Sequence, residues 1–421
     1  MNTTVLKERL ANLDSVFSGA GRKDDGPSRA LVLDLSDESF YDWEIPEQFL
    51  EAYVAGPALG ARLWAEFAGA DVEEESTYES NNPVVLTVSS LSNSGMPGCE
   101  SLSIAFRSPV SGTLRFNVVS NTFGMRLHGM GYAALIITGR LRRPAVIDIR
   151  KSGVVYNISE AFIGFTVSQV EQLVKTGPMT TAMSIGPAGE QKVPFAAVVS
   201  EGAVTGRGGL GCVFGYKNIK ALCITGFETS FIRRGNPEDI SKALEKLSKI
   251  LGDSPYCKAM QRGGSSSLVK LSSKNGWAPV FNFSRRTDPR LFHLGGDEVA
   301  RRYGQNHGGC IGCPVLCRHR TRDGITVPDY DAVHHDNGLL VGHQGRNSAE
   351  HHLHAGIVGV SGSSSDGESC HFALNHLKRV HNRSLNQVFV FHSCDGVSQC
   401  AAAYGTVTYD HHFVQKFSIV F

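Results

Sequence analysis

Three cysteines stand within eight residues in the stretch GGCIGCPVLCRHR, at Cys310, Cys313 and Cys317. A disulfide framework does not suit them, because three is an odd number and thiols two residues apart seldom reach the required Cβ geometry. Three thiolates at C-x2-C-x3-C can instead surround one side of a metal centre. A structural zinc would need a fourth Cys or His, and an iron–sulfur cube would take one further remote cysteine. The neighbouring glycines favour the cube, since they leave backbone N–H groups free for the sulfides.

Two carboxylates follow this triplet in PDYD, at Asp329 and Asp331. Their spacing places both on one face of an extended segment. Paired acids near a redox centre can move protons, and surface charge is the alternative interpretation.

A glycine-rich stretch, TGRGGLG, precedes both motifs, and its Gly206, Gly208 and Gly211 spell G-x-G-x-x-G. We expect no dinucleotide site, because the following CVFGYKNIKALCIT leaves no room for the helix that must receive a pyrophosphate. Backbone N–H groups with the guanidinium of Arg207 would still make an anion cradle. A tight hairpin with a solvated arginine is the alternative. The preceding SIGPAGE predicts a turn, in which Gly186 and Gly189 permit positive φ and Pro187 fixes the bend.

Short β-branched and apolar runs separated by turn residues predict a strand-rich region from Ala30 to about Gly226. One helix interrupts it, with Thr166 and Gln169 forming a capping box. A second helix is predicted in NPEDISKALEKLSKILG, with Asn236 as its cap and Gly252 at its end. The sequence thus predicts a leader or arm at 1–29, a β-rich domain at 30–226, a helical domain with the thiol motif at 227–333, and an atypical tail at 334–421.

The predicted tail differs in composition, since twelve of the sixteen histidines lie between His334 and His412. No helical or strand period is sustained there. A metal-binding tail is one interpretation, but the histidines lack a repeating ligand spacing. A change of reading frame or a disordered segment explains the break better.

The composition is that of a soluble globular protein, with 41% apolar and 19% charged residues and a net charge of +1. This balance argues against nucleic acid and against an anionic membrane as partners. No apolar run approaches the roughly 20 residues that span a bilayer. The charged start of the chain does not resemble a signal peptide, so we expect reduced thiols in the cytoplasm.

Taken in order, these pieces resemble the tungsten-dependent aldehyde ferredoxin oxidoreductase family. The stretches that carry the resemblance are LVLDLSDESFYDWEIPEQFLEAYVAGPALGARLW, SPVSGTLRFN, HGMGYAALIITGRLRRPAVIDI, SIGPAGEQKVPFAAVVSEG, TGRGGLGCVFGYKNIKALCITG, GCIGCPVLC and PDYD. They run from about Arg29 to Asp331. Several motifs in the family's order are far more specific than a cysteine triplet alone.

The resemblance implies an α+β protein whose N-terminal β-sheet-rich domain forms a base for a bis-pterin cofactor, followed by a truncated, mainly helical domain. Tungsten, or molybdenum in some members, is held by pterin dithiolenes, and Mg²⁺ is a further implied ion. A 4Fe-4S cluster beside the pterin passes electrons to ferredoxin or a ferredoxin-like subunit while an aldehyde becomes a carboxylic acid. A homodimer is compatible with the family.

By the same resemblance, Cys310, Cys313 and Cys317 match the cluster ligands. Gly206 and Arg207, with Gly208 after them, match the turn that binds the pterin phosphates. Asp329 and Asp331 stand where the family usually has two glutamates near the metal and are assigned the catalytic proton transfer.

Four departures from the family are visible. Ala203 and Val204 replace a family Arg-Ala pair, which removes one guanidinium. The segment 118–120 lacks a family Asn-x-Gly contact, with Asn117 adjacent to it. Neither the fourth cluster cysteine nor the catalytic histidine is matched in the tail. The sequence therefore predicts an oxidoreductase of this type, and the alternative is a truncated, inactive cofactor-binding or scaffold fragment.

Overall fold

The structure is a computed structural model that describes residues 26–68, 82–175, 177, 179–194, 196–201, 203–205, 208–226, 237–277, 285–304, 306–309, 312–320, 322, 388–391 and 402–405. The chain divides into two compact units, of which the first comprises Met1–Ser248 and Cys310–Cys313 and the second comprises Lys249–Gly309 and Pro314–Phe421.

The first unit contains two six-stranded sheets. The first sheet has the strand order β2-β1-β6-β3-β4-β5. Its strands are β1 Arg29–Asp34, β2 Ser39–Glu44, β3 Val84–Val88, β4 Leu102–Arg107, β5 Leu114–Val119 and β6 Tyr132–Thr138. Only the β1–β6 pair is parallel, and the other neighbours in this sheet are antiparallel.

The second sheet has the order β11-β10-β9-β12-β7-β8. Its strands are β7 Ala145–Arg150, β8 Gly153–Ile158, β9 Thr180–Ser184, β10 Val199–Ser200, β11 Ala203–Val204 and β12 Ile219–Thr225. Here β7 and β12 form the parallel pair, and the remaining neighbours are antiparallel.

The two sheets have the same topology. Each strand of the first sheet has a counterpart six strands later in the chain, so that β1 corresponds to β7 and β6 to β12. With this correspondence, the two sheets have the same strand order, and every pair of neighbours has the same direction. Residues 29–138 and 145–225 are therefore two structural repeats, called the first and second half below. This repeat is not visible in the sequence, because it lies in the pairing of distant strands.

The period of two in each strand divides its side chains between two apolar clusters. In β1, Leu31 and Leu33 point into a cluster that also contains Ile147 and Met183 of the second sheet. Ala30 and Val32 point to the opposite face. Because both faces are covered, the central strands are apolar on both sides, as expected for buried strands.

Some helices cover the outer faces of the sheets, and others pack in the apolar cluster between their inner faces. On the first sheet, α1 Glu47–Tyr53 and α2 Gly56–Phe67 bury Phe49, Leu63 and Trp64. On the second, α4 Val167–Val174 buries Val170. Two further helices, α3 Thr122–Gly129 and α6 Leu210–Tyr216, contribute Phe123 and Phe214 to the cluster shared by both sheets. A single turn, α5 Pro187–Glu190, and a 3-10 turn at Glu160–Phe162 complete the unit.

Helix α6 contradicts the expectation that no helix follows the glycine-rich stretch. The glycines there permit close packing. A Cβ on Gly215 would lie 1.9 Å from the carbonyl oxygen of Gly189, and one on Gly211 would lie 2.4 Å from that of Ala197. Gly186 and Gly189 do not use the positive φ that glycine permits. Gly186 has φ −95°, and Gly189 is needed because a Cβ would lie 2.8 Å from that of Ile185.

Among the residues that the structure describes after 236, the helices are α7 Pro237–Asp253, α8 Pro255–Gly263, α9 Leu268–Lys274 and α10 Gly296–Tyr303, with 3-10 turns at Ser265–Ser267 and Pro289–Leu294. Two short hairpins follow, β13 Asn306–Gly308 with β14 Arg318–Arg320 and β15 Val388–Phe391 with β16 Ala402–Gly405. None of the helices in the described ranges combines the length and the apolar character that crossing a bilayer requires.

The predicted α+β class is confirmed, with sheets first and helices after them. The capping box of Thr166 and Gln169 is present at the start of α4. The expectation that one helix interrupts the strand region was wrong, since α1, α2, α3 and α6 also lie within it.

Candidate cofactor-binding site

Three of the eight predicted site residues lie in the described part of the chain, namely Gly208, Cys313 and Cys317. The other five lie outside the described residues, which leaves their predicted roles as predictions. They are Gly206, Arg207, Cys310, Asp329 and Asp331.

Gly208 lies at the junction between β11 and α6 and has a φ of +101°, which favours glycine. Gly209 precedes α6 with a φ of +82°. A Cβ on Gly209 would lie 1.9 Å from the carbonyl oxygen of Pro194, so the backbone is closely packed on that side. This strand–turn–helix junction presents main chain without side-chain bulk, as an anion cradle requires.

Residues of the first half contact this junction, and two of them, Ser108 and Arg115, were not predicted from the sequence. Buried Ser108 donates a hydrogen bond from Oγ to the carbonyl oxygen of Gly208 at 2.8 Å. The side chain of Arg115 packs over Gly208, where a Cβ would lie 3.0 Å from Cγ of the arginine. Arg115 brings a second guanidinium-bearing side chain to the turn that carries Arg207.

The equivalent junction of the first half lies between β5 and α3. Asn121 caps α3, and its Oδ1 accepts a hydrogen bond from the backbone N–H of Gly124 at 3.4 Å. The backbone N–H of Thr122 donates to Oε2 of Glu201 at 2.8 Å, and the threonine hydroxyl donates to Oε1 of the same carboxylate. Glu201 comes from the turn between β10 and β11, in the second half.

Buried asparagine side chains lie around the β5–α3 junction of the first half. Asn93 donates from Nδ2 to the carbonyl oxygen of Met125 at 2.9 Å, and its backbone N–H donates to Oε1 of Glu100 at 2.8 Å. Burial raises the pKa of Glu100, while that backbone N–H acts in the opposite direction. Within the described residues, Nδ2 of Asn117 and Nδ2 of Asn121 are buried without a hydrogen-bond partner.

Cys313 and Cys317 stand between β13 and β14 in the chain. Cys313 is half-buried. Cys317 is exposed, and its backbone forms an isolated parallel β-bridge with that of Gly308. Gly312 and Leu316 have φ values of +70° and +50°, so the segment between the cysteines curls through left-handed conformations. Among the residues that the structure describes, no three His, Cys, Asp or Glu side chains form a metal-binding group, and Cys310 is outside that set.

Two other cysteines are structural. Cys212 on α6 and Cys223 on β12 are buried, and burial raises the pKa of each thiol to about 12. A protonated thiol is a poor metal ligand. The more accessible Cys313 and Cys317 suit ligation better.

The described residues fit the bis-pterin cofactor that the sequence resemblance implies. A pterin with a phosphate needs open main chain, cationic side chains and hydrogen-bonding groups. Gly208 with Arg115 supplies the first two, and the buried amides of Asn117 and Asn121 are polar groups that a polar cofactor can satisfy. The two halves place such a junction at corresponding positions, which suits a cofactor built from two equivalent pterins.

Comparison with known proteins gives matches over most of the described chain. The family model "Aldehyde ferredoxin oxidoreductase, N-terminal domain" matches residues 30–226. The model "Aldehyde ferredoxin oxidoreductase, domains 2 & 3" matches residues 242–342.

Several relatives are similar in sequence. The tungsten-containing aldehyde ferredoxin oxidoreductase of Pyrococcus furiosus is 28% identical over 313 residues, which cover 72% of this chain and 51% of the relative. That of Thermococcus kodakarensis is 26% identical over 260 residues, covering 60% and 43%. The "Aliphatic sulfonate oxidoreductase, WOR-like subunit" of Pyrococcus furiosus is 28% identical over 215 residues, covering 47% and 34%. The chain thus spans about half the length of the curated relatives it matches.

Among solved structures, the fold resembles a chain of the "Active site complex BamBC of Benzoyl Coenzyme A reductase in complex with 1,5 Dienoyl-CoA". The TM-score is 0.66 at 17% identity, and the match covers 84% of this chain and 56% of that one. This similarity concerns the fold.

Proposed function

Because the chain belongs to the aldehyde ferredoxin oxidoreductase family, we propose that it oxidises an aldehyde to a carboxylic acid at a tungsten or molybdenum bis-pterin centre. Electrons leave through a 4Fe-4S cluster to ferredoxin or a ferredoxin-like subunit. The observation that carries the proposal is the pair of corresponding strand–turn–helix junctions in a domain that matches the family from residue 30 to 226.

The overall reaction takes an aldehyde and a water to a carboxylic acid, two electrons and two protons. When bound, the metallopterin supplies the two-electron redox chemistry. Gly206, Arg207 and Gly208 bind a pterin phosphate through main-chain N–H groups and a guanidinium, with Arg115 beside them.

The remaining roles fall to the thiol triplet and to the two aspartates that follow it in the chain. Cys310, Cys313 and Cys317 hold the cluster, and a fourth ligand completes it. Asp329 and Asp331 accept the protons that the oxidation releases. Mg²⁺ is a further ion that the phosphates would bind.

A second candidate is a cofactor-binding or scaffold fragment without activity. The observation that favours it is the pair Asp329 and Asp331, each one methylene shorter than the glutamate that family members usually have there, which shortens the reach of the carboxylates to a substrate proton. Such a fragment would retain the pterin through the first unit while lacking turnover.

The test is metal and pterin analysis of anaerobically purified protein, combined with an aldehyde-dependent ferredoxin reduction assay. The proposal expects tungsten or molybdenum, pterin and iron in the same chain, with turnover. Arg207→Ala should lose most of the pterin, and Arg143→Ala, an exposed arginine on the same unit, should retain it. Pterin without turnover would support the fragment, and a wild-type chain without pterin would contradict both candidates.

A further inference from the structure

Each half of the first unit reaches across to the strand–helix junction of the other half. The β4–β5 turn of the first half supplies Ser108, whose Oγ donates to the carbonyl oxygen of Gly208 at 2.8 Å. The β10–β11 turn of the second half supplies Glu201, whose carboxylate accepts from the N–H of Thr122 at 2.8 Å. Since the two turns occupy corresponding places in the two repeats, the contacts are reciprocal.

The geometry at Glu201 fixes the carboxylate closely. Glu201 has a φ of +52°, a conformation that is unfavourable for a residue with a side chain. Its backbone N–H donates to Oε1 of Glu171 at 2.9 Å, and the hydroxyl of Thr181 donates to its Oε1 at 3.2 Å. Groups of the second half therefore hold the backbone and Oε1 of Glu201, while both of its carboxylate oxygens accept hydrogen bonds from Thr122 in the first turn of α3.

The geometry at Ser108 is equally defined. The side chain is buried, and its Oγ also accepts hydrogen bonds from the backbone N–H groups of Val110 at 3.1 Å and Ser111 at 3.3 Å. The hydroxyl proton is thereby directed to Gly208. Because the acceptor is the carbonyl oxygen of Gly208, this contact acts directly on the main chain of the turn.

We propose that Glu201 and Ser108 are positioning residues that set the two cofactor-facing junctions in register with each other. This inference rests on the proposed function. A bis-pterin that bound at both junctions would be held best when these contacts fix the separation and orientation of the junctions before it binds. Residues that orient ligand-binding groups in this way typically contribute about 10- to 100-fold to the affinity of a site.

The experiment uses full-length protein purified anaerobically, with pterin and tungsten or molybdenum measured per chain. Thr122→Val removes the hydroxyl donor with little change of shape, and Thr122→Ser keeps it. We expect Thr122→Val and Glu201→Gln to lose roughly tenfold or more of the retained cofactor after dialysis, and Thr122→Ser to retain it. Glu160→Gln, an exposed carboxylate on the same unit, is the matched control.

Hydrogen exchange of the same proteins, after removal of cofactor, shows where each contact acts. Glu201→Gln should accelerate exchange at residues 119–126 of the first half, and Ser108→Ala should accelerate it at the start of α6 in the second half. A loaded wild type with equally loaded Glu201→Gln and Thr122→Val variants would overturn the inference and leave the proposed function intact. A wild type without cofactor would instead overturn the proposed function, and this inference with it.

Discussion

The ammonium group of Lys217 is buried at the end of α6 and donates a hydrogen bond to the carbonyl oxygen of Gly139 at 2.8 Å. This contact ties the second half to the segment that follows β6. Burial lowers the pKa of Lys217 from 10.5 to about 7, and nearby Asp34 opposes the shift. The group therefore titrates in a different pH range in the folded protein than in the unfolded chain.

This difference predicts a pH-dependent stability. Between pH 7 and about 10 the unfolded chain holds the proton and the folded protein has released it, so the free energy of unfolding rises with pH by up to about 1.4 kcal/mol per unit. Below pH 7 both states are protonated and the contribution is constant. Urea unfolding at pH 7, 8 and 9 measures the slope. Lys217→Met should reduce it, and an unchanged slope in that variant would contradict the assignment.

The close approach of α6 to α5 predicts a large effect for one added methyl group. Gly215→Ala would place Cβ 1.9 Å from the carbonyl oxygen of Gly189, which is main chain and cannot rotate away. We expect a loss of about 3 kcal/mol in the free energy of unfolding. Gly252→Ala in α7 is the control, because nothing lies within 4 Å of its Cβ. That variant should be more stable than the wild type by up to about 1 kcal/mol.

The buried ion pair of Lys220 and Glu190 predicts a strong coupling between two side chains. Lys220 donates to Glu190 and to the carbonyl oxygen of Phe165 at 2.8 Å, and its side chain is only 2% exposed. Glu190→Gln leaves a buried cation without its carboxylate and should cost about 3 kcal/mol.

A double-mutant cycle with Lys220→Met measures this coupling. The double variant should recover most of the loss. The exposed pair of Lys270 and Asp297 gives the comparison, since Asp297→Asn should cost less than about 1 kcal/mol. Equal costs for the buried and the exposed pair would show that burial is not the cause.

The predicted cluster ligands can be tested by iron content. Cys313→Ser removes one thiolate, and we expect iron to fall below about a tenth of the wild-type content with loss of the broad visible absorbance. Cys257→Ser, a half-buried thiol on α8 outside the triplet, should keep both. Full retention of iron by Cys313→Ser would remove this residue from the ligand set.

Local sequence patterns predicted the strands well and their arrangement poorly. The alternation in Arg29–Asp34 and the apolar run Tyr132–Thr138 indicate strands, but their parallel pairing joins residues about a hundred positions apart. The repeat of topology is invisible locally for the same reason. Helix α6 was missed because its glycines are typical of turns, and their requirement for close packing emerges only from the opposing main chain.

In the candidate site too, local features were predictable from the sequence and long-range contacts were not. The glycine-rich turn at Gly208 was recognisable from the sequence, and its cofactor-binding role stays a prediction. Ser108 and Glu201 were missed because single polar residues in hairpin turns are common, and what distinguishes them is contact with a junction 100 or 79 residues away.

The order of strands within each repeat has a consequence for synthesis. β6 and β12 occupy interior positions in their sheets, yet each is the last strand of its repeat to leave the ribosome. The first sheet therefore cannot close before Thr138 emerges, and its inner face still lacks the second sheet until Thr225 follows. At a translation rate of about 5 to 20 residues per second, the nascent chain exposes that apolar face for roughly 4 to 17 seconds. A holding chaperone would protect it during this interval.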